Sequence, residues 1–321
     1  MSTVDRLTLV VAKRVEDTEE ILSVELTSLD GGELPPFDAG AHVDVHVRDG
    51  LVRQYSLCNA PTERHRYRLG ILNAQESRGG SSHLHMHLAE GTRLEIGRPR
   101  NVFRLREDTR YALLIAGGIG ITPLLSMAYR LHAIGTPFEL HYCVKSRDKA
   151  AFLAELAACP FHASVVLHCD DGPPEQRLAP EVFAGRDAAH AYLCGPEGFM
   201  DWVTRMALET GLHPERIHSE RFAASGAKDA SGTASFTVTA ARSGISVTVD
   251  GTTTILDALR NRGIDIPVSC EQGICGTCLT RVIDGVPEHH DLYQTDSEKA
   301  ANTHMTPCCS RSKSAVLVLD L

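Results

Sequence analysis

Three consecutive regions of the 321 residues carry three different patterns, which together predict a multidomain protein. Short strands at close spacing fill residues 1–107 and indicate an antiparallel β-barrel. Apolar strands alternate with helical stretches across 108–222, which is typical of an α/β domain with a parallel sheet. Residues 223–235 contain no large apolar side chain and are typical of a flexible linker. Residues 236–321 then combine a hairpin, a helix and a last strand, which predicts a small α+β domain.

Composition narrows the possible partners. Hydrophobic residues make up 43% and charged residues 23%, as in ordinary globular proteins. The net charge of -9 argues against nucleic acid as a partner. The most apolar run, 112–128, contains three glycines and a proline and is too short to cross a bilayer, so no membrane partner is expected. Ten cysteines without an N-terminal apolar segment predict a cytoplasmic chain whose thiols are ligands or free.

Two segments of the predicted barrel suit an aromatic cofactor that bears a phosphate. One ends a strand and offers a guanidinium, an amide, a phenol ring and a hydroxyl: Arg53, Gln54, Tyr55 and Ser56. The other follows Arg78 and precedes a short helical stretch, with glycines that would expose backbone N–H groups to a phosphate: Gly79, Gly80, Ser81 and Ser82. Taken alone, each segment is a weak signal, because such tetrapeptides are usually just a strand end or a turn.

A glycine turn, Gly117-Gly118-Ile-Gly120-Ile-Thr122-Pro123, follows a strand of the α/β region and opens a helix. Thr122 suits the N-cap and Pro123 the first helical position. The glycines would let a ligand approach the backbone, and a helix N-terminus favours a pyrophosphate. Proline replaces the last glycine of the usual dinucleotide fingerprint, so a plain strand-to-helix turn fits the local pattern equally well.

A second turn, Cys194-Gly195-Pro196, ends another strand of the same region. Parallel sheets bind ligands at the carboxyl ends of their strands. A lone turn of this kind would be read as a buried strand end. Two glycine turns at one edge of a single sheet favour a dinucleotide site.

Four cysteines in the last region carry the most specific signal. Spacings of four, two and 29 residues separate Cys270, Cys275, Cys278 and Cys308. This is the plant-type [2Fe–2S] pattern, whereas zinc sites prefer two short pairs and the chain has one. The adjacent Cys309 is not expected to be a ligand, because neighbouring side chains of an extended segment point to opposite sides.

The motifs, taken in order along about 300 residues, resemble the phthalate dioxygenase reductase family, which includes vanillate demethylase reductases. The endings C-S-R-S-K-S and L-V-L-D-L resemble that family as well. The resemblance implies an FMN-binding barrel, an NADH-binding domain of the ferredoxin-reductase type and a plant-type ferredoxin domain. It also implies the activity: electrons pass from NADH through FMN and a [2Fe–2S] cluster to the oxygenase component of a Rieske-type mono- or dioxygenase.

The resemblance assigns roles to single residues. In the barrel it implies flavin contacts for the Arg53–Ser56 strand, a phosphate turn at Gly79–Ser82, and a strand beside the flavin ring at Ile71, Leu72 and Asn73. In the nucleotide domain it places two catalytic residues, Thr122 near the flavin ring and Cys194 near the nicotinamide. Further cofactor contacts are implied at Gly118, Gly120, Gly195, Pro196 and, as a ring that stacks on the flavin, Phe222.

One residue is expected to set the choice between NADH and NADPH. Asp170 follows a strand and could bind the adenosine ribose, where its carboxylate would repel the extra phosphate of NADPH. Asp171 fits this role equally well. Two other functions remain open at this point: a reductase for a cytochrome or a separate ferredoxin, and a redox sensor or zinc-stabilised binding module.

Overall fold

The computed structural model of the chain describes residues 6–48, 51–74, 79–222 and 235–321. They divide into two units, Met1–Glu220 and Arg221–Leu321. The predicted boundary at 107 falls between the last strand of one sheet and the first strand of the next. The predicted linker, apart from Ser235, lies outside the described residues, as do Arg78 and the three residues before it.

The first sheet of unit Met1–Glu220 is antiparallel, in the order β4-β3-β6-β1-β2-β5. A bridge between Leu57 and Leu69 joins its two edges, so the sheet closes into the predicted barrel. Leu22, Val24 and Leu26 alternate along β2 and are fully buried in its core, as a period of two requires. The strands and the single helix are β1 Arg6–Glu16, β2 Ile21–Ser28, β3 His42–Arg48, β4 Leu51–Ser56, β5 Tyr67–Leu72, α1 Gly80–His87 and β6 Arg93–Gly97.

The second sheet of this unit is parallel, in the order β11-β10-β7-β8-β9. All six residues of β7 are buried, as expected of a central parallel strand covered on both faces. The last strand, β11, is short and partly polar, and the sequence pattern did not predict it. The elements are β7 Ala112–Gly117, α2 Ile121–Ile134, β8 Phe138–Val144, α3 Leu153–Ala158, β9 Val165–Cys169, β10 His190–Cys194, α4 Glu197–Glu209 and β11 Ile217–Glu220.

The predicted N-cap of α2 is wrong. A 3₁₀ turn over Gly118–Gly120 leads directly into the helix, so the backbone is already helical before Thr122. The Thr122 hydroxyl instead donates to the carbonyl oxygen of Ile119 (3.0 Å). The cap position needs an extended backbone, and the continuous turn removes it.

Unit Arg221–Leu321 holds a mixed sheet in the order β13-β12-β18-β14-β16 and a separate pair, β15 and β17. The predicted hairpin is β12 with β13. Thr254 caps the predicted helix, α5, because its Oγ1 atom accepts from the Asp257 amide (3.0 Å). The elements are β12 Phe236–Ala240, β13 Ile245–Val249, α5 Ile255–Arg260, β14 Thr280–Asp284, β15 Pro287–Glu288, α6 Asp296–Ala301, β16 His304–Met305, β17 Arg311–Ser312 and β18 Val316–Leu319.

None of the helices in the described ranges combines the length and the apolar character that a bilayer crossing needs. All ten cysteines have free thiols.

Candidate functional site

The two glycine turns predicted in the α/β region meet at the switch point of the parallel sheet, where β7 and β10 lie side by side and the strand order reverses. A β-carbon built on Gly120 would overlap the carbonyl oxygen of Cys194, and one on Gly195 would lie 3.0 Å from the Gly117 Cα atom. Both positions must therefore be glycine. The bare backbone around the α2 N-terminus fits a dinucleotide pyrophosphate.

Phe199, on α4, is a neighbour of these turns that the sequence pattern did not single out. Its ring carbon would lie 2.7 Å from β-carbons built on Gly117 and on Gly195. The Phe199 ring therefore fills the space beside both glycine turns. Its only signal in the sequence was its place five residues after Cys194.

Cys194 ends β10 with no exposed surface, and Glu220 lies opposite it in register at the end of β11. Burial raises the pKa of the Glu220 carboxyl to about 8, and its Oε2 atom has no hydrogen-bond partner among the described residues. Burial, with the Glu220 carboxyl beside it, raises the pKa of the Cys194 thiol well above its usual value. Both groups therefore carry their protons at neutral pH, so the predicted catalytic thiol is uncharged.

The predicted phosphate turn lies at the N-terminus of α1. Gly79 has φ 85°, which a residue with a side chain rarely adopts. A β-carbon on Gly80 would lie 3.0 Å from Arg53 Nε, and one on Gly79 would lie 3.6 Å from Arg48 Nη2. Two guanidinium groups thus face the backbone N–H groups of a helix start, a set that fits a phosphate monoester. Sequence analysis missed Arg48, which lies 31 residues before Gly79.

The predicted flavin strands lie at the seam where the barrel closes. β4 and β5 are its two edge strands, and Ser82 Oγ of the phosphate turn donates to Asn73 Oδ1 just beyond β5 (3.0 Å). Ser81 Oγ accepts from the Ala74 amide (3.2 Å), so the turn is tied to the end of β5. Gly70 on β5 faces the nucleotide region: a β-carbon there would lie 2.7 Å from the methyl group of Thr122.

The seam residues differ in what they can offer to a cofactor. Arg53 and Tyr55 pair with Val45 and Val43 on one face of β4, whereas Gln54 faces the other side and donates to Asp44 Oδ1 (3.0 Å). The Ile71 side chain is fully buried in the barrel, so its backbone is the part that can meet a ligand. The flavin contacts of this set all stay predictions: Arg53, Gln54, Tyr55, Ser56, Ile71, Leu72 and Asn73.

Asp170 and Asp171 are both exposed, directly after the edge strand β9. The Asp170 amide donates to the Val144 carbonyl (3.0 Å) and the Asp171 amide to the Lys145 carbonyl (3.1 Å), so both sit at the carboxyl edge of the sheet. The choice between them therefore stays open. Phe222 is partly buried at the start of the second unit, and its stacking on a flavin stays a prediction.

The four predicted ligand cysteines form two pairs. The Cys275 thiol raises the pKa of Cys270, so the two side chains are close neighbours. Cys308 has Cys278 as the thiol that shifts its pKa most, with Cys309 next. The Cys270 thiol and Thr277 together lower the pKa of Cys275 to about 5. Within the described residues no three His, Cys, Asp or Glu side chains converge on a single ion. Two thiol pairs instead fit a [2Fe–2S] cluster, in which each iron takes two protein thiolates.

The cluster loop has an unusual backbone. Glu271, Gly273 and Gly276 have φ of 51°, 75° and 68°, and the Gln272 amide donates to Cys270 Sγ (3.3 Å). Arg260 of α5 holds Glu271 through an ion pair of 3.2 Å. The Tyr293 ring rests on Gly276, where a β-carbon would overlap it. These turns aim backbone N–H groups at the sulfur atoms, which stabilises thiolates.

The geometric argument for excluding Cys309 is wrong. Residues 306–310 form a turn, since the amides of Cys309 and Ser310 both donate to the Thr306 carbonyl, so the segment is not extended. The two neighbouring thiols are consequently close to each other, and the Cys308 thiol lowers the pKa of Cys309. Cys309 Sγ lies under Gly273 and meets the Thr306 hydroxyl (3.3 Å), whereas Cys308 meets Cys278. Cys308 as the fourth ligand stays a prediction, now supported by this pairing.

A barrel with a phosphate turn, a parallel sheet with a dinucleotide crevice and a loop of paired thiols define a flavin-, NADH- and [2Fe–2S]-dependent oxidoreductase. Comparison of the chain with known proteins supports this class. Residues 238–313 match the family model described as a 2Fe-2S iron-sulfur cluster binding domain. The vanillate O-demethylase oxidoreductase of Pseudomonas sp. (strain HR199 / DSM 7063) is 50% identical over 305 residues, 94% of this chain and 96% of that protein.

Two solved structures extend the match. Phthalate dioxygenase reductase, described as a modular structure for electron transfer from pyridine nucleotides to [2Fe–2S], superposes with a TM-score of 0.81 at 39% identity, over 99% of this chain and 98% of that one. An intact type IV self-sufficient cytochrome P450 monooxygenase matches with a TM-score of 0.79 at 37% identity, over 98% of this chain and 41% of that one. The chain belongs to the phthalate dioxygenase reductase and vanillate O-demethylase oxidoreductase family, the reductases of oxygenase systems.

Proposed function

We propose that the chain delivers electrons from NADH to a Rieske-type oxygenase component that acts on an aromatic substrate. The direct contact between the phosphate-turn seam of the barrel and the dinucleotide crevice, through Gly70 and Thr122, supports the hydride step. The similarity to a vanillate O-demethylase oxidoreductase and to phthalate dioxygenase reductase supports the acceptor and its aromatic substrate. Hydride transfer needs two rings held face to face, and the seam and the crevice are the two places in this unit that fit them.

A flavin held at the seam would supply the conversion between a two-electron hydride and single electrons, which a [2Fe–2S] cluster as acceptor requires. The side chains and turns of the first unit bind the two cofactors and orient their rings. Arg53, Arg48 and the α1 N-terminus hold a phosphate, the glycine turns hold a pyrophosphate, and the protonated Glu220 and Cys194 keep negative charge away from the crevice floor. No side chain has to move a proton for the hydride step, which accords with an uncharged, buried thiol at Cys194.

The surface around the cluster loop suits a protein acceptor. Leu279, Leu292 and Tyr293 are 38%, 42% and 46% exposed beside or on the loop. Exposed apolar groups next to a redox centre let an acceptor exclude water as it docks. A cytoplasmic location is proposed for both the chain and its acceptor, because the ten cysteines form no disulfide and four of them are suited to a cluster.

A cytochrome acceptor is the second candidate, because the fold also occurs within a self-sufficient cytochrome P450 monooxygenase. The test is anaerobic mixing of the NADH-reduced chain with either the oxygenase component of a vanillate O-demethylase or the haem domain of a P450. Fast reduction of the Rieske centre with slow haem reduction supports the proposal. The reverse order of rates would assign the chain to a cytochrome.

A further inference from the structure

The barrel meets the nucleotide region at Gly70, in the middle of β5. A β-carbon on Gly70 would lie 2.7 Å from Thr122 Cγ2, 3.0 Å from Phe152 Cζ and 3.3 Å from Ile119 Cδ1. The glycine turn after β7 supplies two of these side chains, and the segment before α3 supplies the third. Because no side chain stands between them, the backbone of β5 is in direct contact with both segments of the nucleotide region.

Phe152 reaches this contact in a strained conformation. Its φ of 61° and ψ of 14° lie in the left-handed region, which a bulky residue avoids. Its ring is 2% exposed, and its amide donates to Asp17 Oδ1 of the barrel (3.4 Å). Such strain persists where the surroundings enforce it, and it concentrates where geometry matters for function.

A partly buried ion pair, Arg68 with Glu155, ties the same strand to two helices. Arg68 lies on β5 two residues before Gly70, so both point to the same face. Its guanidinium lies 4.8 Å from the centre of the Phe152 ring and forms an ion pair with Glu155 of α3. The Tyr129 hydroxyl of α2 donates to the other carboxylate oxygen of Glu155 (2.8 Å). The side chains of Arg68 and Glu155 are 15% and 19% exposed, so solvent screens the pair little.

We propose that Gly70, Phe152 and the Arg68–Glu155 pair, together the β5 clamp, are positioning residues that set the distance between flavin and nicotinamide. The last residues of β5, with Asn73 after them, are the segment predicted to lie beside the flavin ring. The glycine turn that β5 contacts at Gly70 is the predicted pyrophosphate site. A displacement of about 1 Å between reacting groups can lower a rate about 100-fold. The inference rests on the proposed function, because it needs both rings at this contact.

The test uses Gly70→Ala, which pushes β5 away from Thr122, and Glu155→Gln, which removes the ion pair and keeps a hydrogen-bond acceptor for Tyr129. The matched control is Glu107→Gln, which breaks an exposed ion pair with Arg130 of α2 (2.7 Å), away from β5. Four quantities are measured in the full chain: bound FMN, NAD⁺ affinity by calorimetry, the long-wavelength absorbance of stacked nicotinamide and flavin, and the anaerobic rate of flavin reduction by NADH.

If the β5 clamp sets the distance between the rings, Gly70→Ala and Glu155→Gln should both keep FMN and bind NAD⁺ within about two-fold of the parent. The absorbance of stacked nicotinamide and flavin should weaken, and hydride transfer should slow about 10- to 100-fold. Glu107→Gln should match the parent in all four quantities. Unchanged reduction rates in both variants would overturn the proposal. So would slow reduction that is fully explained by lost FMN or weaker NAD⁺ binding, because that marks ordinary packing. A parent chain that NADH cannot reduce would contradict the proposed function instead.

Hydrogen exchange in the flavin-free chain gives a readout that does not depend on activity. The amides of Gly70 and Phe152 should exchange faster in Glu155→Gln than in Glu107→Gln, because the partly buried pair is what holds β5 against α3. Equal exchange in the two variants would show that the pair does not hold the contact.

Discussion

The first unit, proposed to transfer a hydride, and the cluster loop of the second unit, proposed to transfer single electrons, are built differently. In the first unit the proposed ligand contacts lie at strand ends and helix starts, and buried glycines, such as Gly70 and Gly120, let backbones touch. In the second unit the proposed ligands lie in an irregular loop, three of whose residues have positive φ, and exposed apolar side chains surround it. Hydride transfer needs near-contact geometry, which regular elements fix best. A single electron can pass between groups that are not in contact. The cluster site therefore needs a loop that sets its reduction potential and a surface that an acceptor can reach.

The largest effect should come from the cluster loop. Cys308→Ala should lose the [2Fe–2S] absorbance and the ability to reduce an oxygenase, because Cys278 loses its paired thiol. Cys309→Ala should keep both, since its Sγ lies under Gly273 against Thr306. Both variants should keep FMN and reduce a small dye with NADH at the parent rate. The opposite pattern in visible and electron-spin spectra would exchange the roles of the two cysteines.

Stability of the first unit should depend on pH through Glu220. Its carboxyl has a pKa of about 8 when folded and its ordinary value of 4.5 when unfolded. Between these values the folded state binds more protons, so stability is full below about pH 4.5 and falls as pH rises toward 8. The loss of the free energy of unfolding, measured by urea denaturation, is on the order of 5 kcal/mol. Glu220→Gln should remove this slope, and a slope unchanged in the variant would place its origin elsewhere.

Flavin affinity should depend on both guanidiniums at the phosphate turn. Arg53→Ala should weaken FMN binding about 10- to 100-fold, the value of a charge-assisted hydrogen bond, and Arg48→Ala by a smaller factor. Arg93→Ala, which removes an exposed arginine of the barrel strand β6, serves as the control. Fluorescence titration of the flavin-free chain gives the affinities. If the Arg53 variant binds FMN as the parent does, the phosphate does not lie at this turn.

The smallest effect should be on coenzyme choice. The parent should prefer NADH, and Asp170→Ala with Asp171→Ala should narrow the kcat/KM ratio of NADH to NADPH by about ten-fold, because the carboxylates no longer repel the extra phosphate. The single variants decide which carboxylate acts. Asp148→Ala, in the neighbouring turn, should leave the ratio unchanged. Equal ratios in the parent and the double variant would remove both carboxylates from coenzyme recognition.

The sequence predicted the parts whose signal is local or strictly spaced. Alternating apolar residues located most strands, and the spacing of Cys270, Cys275 and Cys278 indicated the cluster domain that the family model matches. The strand order and the meeting of two distant turns needed the fold, because no local pattern records that β7 and β10 are neighbours.

The features that the sequence did not predict, or predicted wrongly, have physical reasons as well. Glu220 looks like an exposed acid in the sequence, and only the pairing of β11 with β10 buries it. Thr122 has the right residue type for an N-cap, but a 3₁₀ turn makes the backbone helical before it. Cys309 was excluded on the assumption of an extended segment, and the turn at Thr306 makes that assumption false.

An anaerobic titration with NADH tests the central claim, that electrons enter the first unit as a hydride and leave singly through the cluster of the second. Two electrons fill the flavin and one fills the cluster, so the parent should need about 1.5 equivalents of NADH for full bleaching. Cys308→Ala should need about 1.0 equivalent, with flavin bleaching alone. A parent that stops at one equivalent with its cluster still oxidised, or that NADH does not bleach, would contradict the account.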